Sequence, residues 1–125
     1  MALTHTDAVR DLAADAKLDQ IDTGTTNPAG QLVYMDAAEA TIVTADMSNP
    51  AFPPAVAGVK TANAIADTGN GTGTIALYKI VNRDGVENHR GTVTATGGGG
   101  DIELTSVTLN NEPVRTTSYV YTEGA

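Results

Sequence analysis

Proline and glycine divide the middle of this chain into segments too short for long helices. Between Met47 and Gly85 the sequence is MSNPAFPPAVAGVKTANAIADTGNGTGTIALYKIVNRDG, with three prolines among its first eight residues. Each proline removes a backbone donor and restricts the residue before it, so the segment 48–58 cannot form a central strand. The apolar runs between these breaks have the length of strands. The stretch therefore predicts a small domain built from short strands.

Period-two alternation of apolar and polar residues predicts seven or eight short strands in the region 31–122. The clearest predicted strands lie at 31–35, 40–46, 58–65, 75–81, 86–96 and 114–121. They are separated by a flexible loop at 67–73, an Asp-Gly hairpin turn at 82–85, a loose bend at the four glycines 97–100 and a last turn at 110–113. The predicted fold class is mainly β: an antiparallel β-sandwich, Ig-like or jelly-roll-like, with a short N-terminal helix.

The predicted strand 75–81 is apolar on both faces. One face carries Ile75, Leu77 and Val81, and the other carries Ala76, Tyr78 and Ile80. Such a strand is central, and it is covered on both sides by a second sheet, the helix or a neighbouring subunit. Farther along, the alternation of apolar and polar residues shifts by one position near 105–106. This shift predicts a bulge or a strand break there.

One helix is predicted, over residues 4–20, with Thr4 or Thr6 as its cap. A narrow stripe at helical spacing predicts the face that docks, and it consists of Val9, Leu12, Ala13 and Ala16. A second face carries Asp7, Asp11 and Asp15, and is interpreted either as solvated or as facing a partner with basic residues. Leu18 lies on that acidic side and requires an apolar neighbour. Residues 22–30, DTGTTNPAG, are predicted to form a linker of turn formers.

The composition restricts the core and the partners. The 125 residues fit a single domain, 1–125, in which 41% of residues are hydrophobic but only 4% are aromatic. The core must therefore consist of aliphatic side chains, with Phe52, the only Phe, either closing one end of it or anchoring an interface. A net charge of −8 with no basic stripe argues against nucleic acid as a partner.

No set of residues in the sequence predicts catalysis, a cofactor or a metal site. There is no cysteine, and the two histidines, His5 and His89, lie far apart without metal-ligand spacing. His89 is interpreted as an exposed polar residue on a strand. Asp67 and Asn70 in the DTGNGTG loop are interpreted as turn residues rather than calcium ligands. No G-x-S-x-G motif is present, so we expect neither an enzyme nor a metalloprotein.

The N-terminal sequence MALTHTDAVRDL has neither the charged region nor the apolar run of a signal peptide. No apolar run in the sequence approaches the length needed to span a membrane. We therefore expect a soluble protein that is made in the cytoplasm.

The order of these segments resembles a group of small virion structural proteins of tailed bacteriophages. The likeness extends from His5 to Thr122, and its most distinctive part is SNPAFPPAVAGVKTANAI. Before this segment lie a helix resembling THTDAVRDLAADAKLDQID and a strand resembling QLVYM; after it come GTGTIALYKIVNRDG, GGGGDIELTSVTL and RTTSYVYT. The chain departs from the group at Tyr78-Lys79, where an apolar or aromatic residue is frequent, and in its unusually stiff Phe52-Pro53-Pro54.

The resemblance implies a virion component without enzymatic activity. The first expectation is a decoration or cement protein on the outer capsid surface, where it binds the major capsid protein and stabilises the assembled head. The alternative is a tail- or fibre-associated adhesion module. Because the strand 75–81 and the helix stripe offer more apolar surface than one small sandwich covers, we also expect a homo-oligomer, first a trimer. The helix, the proline loop and the final strand supply the candidate contacts, which are Leu12, Leu18, Phe52, Val56, Tyr119 and Tyr121.

Overall fold

The computed structural model describes residues 6–122. Helix α1 spans Asp7–Asp19 and continues as a short 3-10 turn at Gln20–Asp22. The strands are β1 (Gln31–Met35), β2 (Thr41–Asp46), β3 (Val59–Thr61), β4 (Gly71–Thr74), β5 (Leu77–Val81), β6 (Glu87–Ala95), β7 (Ile102–Leu104), β8 (Thr108–Glu112) and β9 (Val120–Thr122). The prediction of a mainly β fold with one short N-terminal helix is confirmed, and residues 6–122 form nine strands.

Five strands form one sheet, in the order β2-β1-β5-β6-β7, and the other four form two ribbons, β3-β9 and β4-β8. All pairs are antiparallel except β6-β7, which is parallel. The predicted hairpin turn at 82–85 joins β5 to β6, and Gly85 adopts the positive φ of 82° that the turn requires. Strand β5 occupies the middle of the sheet, as its apolar faces predicted.

The glycine segment 97–100 allows the parallel pairing of β6 with β7. Gly97 and Gly99 have positive φ angles of 89° and 81°, which let the chain loop back on itself and enter β7 in the same direction as β6. Both of their amides donate to the Glu103 carboxylate, at 3.2 and 3.0 Å, and the Gly100 amide donates to Thr94 Oγ1 at 3.0 Å. The bend is therefore fixed by side chains at both of its ends.

The main core lies on one face of the five-stranded sheet. The sheet contributes, among others, Leu32, Tyr34, Tyr78 and Ile80. Helix α1, the 3-10 turn, the proline loop, β8 and the segment before β9 cover this face, through Leu18, Ile21, Phe52, Leu109 and Tyr119. The core is thus closed by one helix and several irregular segments as well as by strands.

The opposite face of the sheet carries a smaller apolar cluster. It consists of Val33, Met35 and Val81, all buried, with Leu77 packed against them. Both faces of β5 are therefore covered within one chain, and no neighbouring subunit is needed there. Ile75 does not lie on the predicted face with Leu77 and Val81. It lies just before β5, donates its amide hydrogen to Val107 O, and packs in the main core.

The predicted docking face of the helix is wrong. Val9 and Leu12 are exposed, whereas Ala14 and Leu18 are buried against the core. Thr6 caps the helix by accepting a hydrogen bond from the Val9 amide at 3.3 Å; the predicted alternative cap, Thr4, lies outside the described residues. Leu18, which required an apolar neighbour, therefore marks the buried side correctly.

In the second half of the chain, two strands extend into segments that were predicted to be a loop and a turn. Strand β4, Gly71–Thr74, begins inside the predicted loop 67–73, and β8 continues into the predicted turn at 110–113 as far as Glu112. Asn111 takes a positive φ of 55° there, and its amide bonds to Thr72 Oγ1 across the ribbon. The predicted break near 105–106 is confirmed, because it separates β7 from β8.

The predicted strands at 58–65 and 114–121 shrink to three residues each, β3 and β9. The segment 114–119 is extended but is held by separate hydrogen bonds to backbone and side chains rather than by a continuous ladder. Val114 and Thr68 exchange two hydrogen bonds, the Tyr34 hydroxyl bonds to Thr116 Oγ1, and the Tyr119 carbonyl accepts from the Ala62 amide. These contacts replace most of a strand ladder at this position.

The predicted linker 22–30 is fastened to the β5-β6 hairpin turn. Asp84 accepts hydrogen bonds from the amides of Thr25 and Thr26, both at 2.9 Å. Arg83 donates to the Asn27 carbonyl through its side chain at 2.7 Å and accepts the Asn27 amide through its own carbonyl. The path from the helix to β1 is thereby fixed.

Candidate functional site

The acidic face of α1 holds the helix against the proline loop. Asp11 accepts a hydrogen bond from the Gly58 amide at 2.6 Å, and Asp15 accepts one from the Ala55 amide at 3.0 Å. Both carboxylates thus satisfy backbone donors of a loop in which three prolines leave few regular partners. The expected solvated or partner-facing role is wrong for these two aspartates, because they bond within the chain.

Lys60 of β3 adds an ion pair to this contact between α1 and the proline loop. Its Nζ lies 2.8 Å from Asp15 Oδ1 and 3.6 Å from Asp19 Oδ1, while only 1% of its side chain is exposed. It also lies over the Phe52 ring, 5.9 Å from the centroid. The hydrogen bond from Lys60 is the main reason that the pKa of Asp15 lies below its usual value.

The three elements predicted to make contacts are adjacent in the fold. Helix α1 is bound to the proline loop through Asp11 and Asp15, and Lys60 of β3 pairs with Tyr121 of β9. Lys17 of α1 also approaches the Tyr121 hydroxyl, at 3.5 Å. The helix, the proline loop and the final strand therefore form one side of the molecule.

This side carries most of the exposed large apolar side chains of residues 6–122. We name five of them the apolar corner: Val9, Leu12, Val56, Val59 and Val120. Val59 and Val120 share the outer face of the β3-β9 ribbon, because their neighbours Lys60 and Tyr121 point the other way. Among the described residues, one further large apolar side chain is exposed, that of Val86 in the β5-β6 hairpin. Exposed apolar residues on neighbouring elements are more typical of an interaction surface than single scattered ones.

The six candidate contact residues divide between this surface and the core. Leu12 and Val56 belong to the apolar corner and are 71% and 73% exposed. Leu18, Phe52 and Tyr119 are 1%, 5% and 4% exposed, so they pack within the chain and have little surface left for a partner. Tyr121 is partly buried beside His89, with their ring centroids 5.5 Å apart.

Phe52 takes the position expected of a residue that closes the core. Its ring meets Tyr119 edge to face, at a centroid distance of 6.1 Å and an interplanar angle of 67°. The preceding residue, Ala51, is fully buried, and its amide donates to Asp22 Oδ1 at 2.9 Å. The proline loop thus inserts Phe52 beneath the helix and leaves Val56 outside.

Sequence reasoning missed a chain of hydrogen bonds around His89. Nε2 of His89 bonds to the Tyr119 hydroxyl at 2.7 Å, and the Tyr119 hydroxyl bonds to that of Tyr78, also at 2.7 Å. Nδ1 bonds to Asn88 Oδ1 at 2.6 Å. The His89 ring stacks on Tyr119, with an interplanar angle of 23°. The interpretation of His89 as an exposed polar residue is therefore wrong.

Burial sets the protonation states in this chain of side chains. Burial lowers the pKa of the His89 imidazole, and the negative charge of Asp101 opposes part of this change. Burial also raises the pKa of the Tyr78 and Tyr119 hydroxyls, and hydrogen bonding to Tyr78 raises that of Tyr119 further. Burial thus favours the neutral form of the imidazole and of both phenols.

Two open clefts lie on either side of the His89 and Tyr121 rings. One, of about 390 Å³, is lined by Ala16, Lys17, Gln20, Asn88, His89 and Tyr121. The other, of about 380 Å³, is lined by Tyr78, His89, Arg90, Asp101, Tyr119, Val120, Tyr121 and Thr122. The first adjoins the exposed side of α1 at Ala16, and the second adjoins the apolar corner at Val120.

The described part of the chain contains no group of three His, Asp or Glu side chains able to hold a metal ion. Asp67, considered above as a calcium ligand, is paired with Arg115 at 3.3 Å instead. His5 lies outside the described residues. Within residues 6–122, no helix combines the length and the apolarity needed to cross a membrane.

Comparison with known proteins gives no match. No family model, no curated protein and no solved structure matches this chain.

Proposed function

We propose that this protein is a non-enzymatic virion structural protein that decorates the assembled head of a tailed bacteriophage. The proposal begins from the resemblance of SNPAFPPAVAGVKTANAI and its flanking segments to small phage virion proteins. The structural observation that carries it is the apolar corner, in which four exposed apolar residues lie on the three elements expected to make contacts and the fifth, Val59, lies on the adjoining β3. An interaction surface without an accompanying catalytic arrangement favours a binding role.

The corner is suited to attachment in many copies. Each exposed Val or Leu contributes about 1–2 kcal/mol when it is fully covered, so one corner alone gives a modest affinity. A decoration protein that bridges neighbouring capsid subunits gains from effective concentration, because each contact keeps the others in reach. Loss of a capsid subunit then requires additional contacts to break. The net charge of −8 keeps the unbound protein soluble at the concentrations such assembly needs.

Self-association is part of the proposal, with a trimer as the first expectation. Since both faces of β5 are covered within one chain, we assign self-association to the outer face of the β3-β9 ribbon, with Val59 and Val120, and leave Leu12 and Val56 for the capsid. A symmetric trimer would bury the same patch in every copy. Mass photometry of the free protein and imaging of decorated particles test this; monomers in both settings would contradict it.

Binding to heads that lack the protein tests the proposal directly. The double variant Leu12→Asp/Val56→Asp places two charges in the corner, and we expect it to bind such heads at least about tenfold more weakly, or ~1.4 kcal/mol. Val86→Asp is the matched control, because Val86 is equally exposed but lies in a hairpin outside the corner. The unaltered protein, the double variant and the Val86→Asp control should melt at nearly the same temperature, since these side chains pack little within the fold.

Two results would contradict the proposal. Equal binding by the double variant and the Val86 control would show that the corner is not the attachment surface. Failure of the unaltered protein to bind heads, with binding to tails or to host cell surfaces instead, would favour the alternative of a tail- or fibre-associated adhesion module.

A further inference from the structure

We infer that His89 is a proton-operated latch, which holds α1 and the segment leading into β9 against the sheet only while its imidazole is neutral. The latch is a property of this fold and is independent of the proposed function. It rests on the direction of each hydrogen bond around the ring.

Asn88 fixes which nitrogen of His89 carries the hydrogen. The Asn88 side-chain amide donates through Nδ2 to the Lys17 carbonyl at 2.7 Å, so its oxygen is the atom that faces His89. An amide oxygen only accepts, and Nδ1 must therefore be the protonated nitrogen. In the neutral ring, Nε2 is then a bare acceptor.

The two tyrosines follow from this assignment. The Tyr119 hydroxyl must donate to Nε2, since Nε2 has no hydrogen of its own to give. Its one hydrogen is then used, so the Tyr119 oxygen accepts from the Tyr78 hydroxyl. The direction of donation is thus fixed from Tyr78 through Tyr119 to His89, and on to Asn88 and the helix.

A second proton on the imidazole is incompatible with this order. It would place a hydrogen on Nε2 facing the Tyr119 hydroxyl hydrogen. Tyr119 would have to turn its hydrogen toward Tyr78, and Tyr78 would lose its acceptor. Either the order of two buried hydrogen bonds reverses or the ring separates from Tyr119, and an unmade buried hydrogen bond is costly.

The His89 ring connects three parts of the fold, so its separation from Tyr119 would loosen each of them. Through Asn88 it reaches the last turn of α1, through Tyr119 it holds the segment leading into β9, and through Tyr78 it reaches β5. The ionisable groups that surround it are Lys17 from α1, Lys60 from β3, Tyr78 from β5, Glu87 and Arg90 from β6, Asp101 before β7, and Tyr119 and Tyr121 near the C-terminal end. The negative charge of Asp101 favours the charged form of His89, and burial outweighs it, so that the pKa of the imidazole is lowered.

Amide hydrogen exchange between about pH 7.5 and pH 5 tests the latch, since an ordinary histidine titrates between these values. After correction for the intrinsic exchange rate, we expect amides in α1 and in the β3-β9 ribbon to exchange about tenfold faster at the lower pH, which corresponds to about 1.4 kcal/mol, the size of one lost hydrogen bond. Amides of the β1-β5 pair serve as an internal reference. In His89→Gln the difference between the two pH values should vanish, and in His5→Gln, the matched control, it should persist.

Long-range ¹H–¹⁵N spectra of the imidazole provide a readout that does not depend on a variant. At the higher pH we expect hydrogen on Nδ1 and none on Nε2. A hydrogen on Nε2, or exchange in α1 and β9 that does not change as His89 gains its proton, would overturn the inference. Neither result would bear on whether the protein binds heads.

Discussion

Lys60 and Asp15 form an ion pair between the β3-β9 ribbon and helix α1, with Nζ 2.8 Å from Oδ1. The two ends of the pair differ in environment. Lys60 is buried to 1% exposure, whereas Asp15 is about one third exposed and also accepts the Ala55 amide. Loss of the carboxylate would therefore leave a buried positive charge without its nearest partner. Loss of the ammonium would leave a carboxylate that still contacts water and the Ala55 amide.

This asymmetry predicts different costs for the two halves of the pair. Asp15→Asn leaves a buried ammonium with only the more distant Asp19, and should lower the free energy of unfolding by about 1–3 kcal/mol. Lys60→Met replaces the ammonium with an apolar side chain of similar length, and should cost less than about 1 kcal/mol. Chemical denaturation of both variants measures this, with the exposed Asp7→Asn as control. A larger cost for Lys60→Met than for Asp15→Asn would contradict the account.

Phe52→Ala should destabilise the fold strongly. Removing a buried ring that contacts Tyr119 leaves a cavity, and the expected loss is about 3–5 kcal/mol of unfolding free energy. Val56→Ala, three quarters exposed in the same loop, should change stability by less than about 0.5 kcal/mol. Thermal melts of the two variants decide the matter, and similar melting temperatures would show that Phe52 does not close the core.

Acid should loosen the helix junction and the linker together. The hydrogen bond from Lys60 lowers the pKa of Asp15, and the Thr25 and Thr26 amides lower that of Asp84, both from an ordinary value of 3.8. A carboxyl with a lowered folded pKa contributes stability that is present above the unfolded value and is lost as the pH falls through the folded one. The melting temperature should therefore fall as the pH drops below about 4. In Asp84→Asn this acid-dependent fall should be smaller; an unchanged slope would disprove the contribution of Asp84.

Removal of metal ions should leave the fold unchanged. Asp67 is occupied by Arg115, and Gly71–Thr74 of the loop once considered for calcium is paired in the β4-β8 ribbon. Addition of EDTA should shift the melting temperature by no more than the scatter between repeats. A clear decrease that calcium restores would mean that the Asp67–Gly73 segment binds a cation after all.

The sequence predicted the regular part of the sheet well. Period-two alternation placed β1 at 31–35 without error, and the apolar residues on both faces of β5 correctly indicated a central strand. The Asp-Gly turn at 82–85 was equally clear, because the turn chemistry is local. Phe52 was predicted to be buried or at an interface, and the structure places it in the core.

The orientation of α1 could not be obtained in the same way. Apolar periodicity selected Val9 and Leu12, yet the helix docks through Ala14, Leu18 and its aspartates. The partners of those aspartates are the amides of Ala55 and Gly58 and the ammonium of Lys60, which are brought there by tertiary structure. An isolated pattern of like charges contains no information about such distant donors.

His89 shows the same limit for the polar core. It lies on β6 among Asn88 and Arg90, where a polar residue normally faces solvent. Its partners Tyr78 and Tyr119 belong to another strand and to an irregular segment, and their identity depends on the full topology. The one local signal was the pair of Tyr residues in the final segment, which could have indicated a buried aromatic partner.

The number and position of copies in purified virions test the central claim most directly. Quantitative mass spectrometry combined with labelling of the protein on intact particles gives both values in one preparation. We expect hundreds of copies, distributed over the outer surface of the head, as many-copy decoration of a capsid lattice requires. A handful of copies confined to the tail, or no copies in the particle, would contradict the assignment of this protein as a head decoration protein.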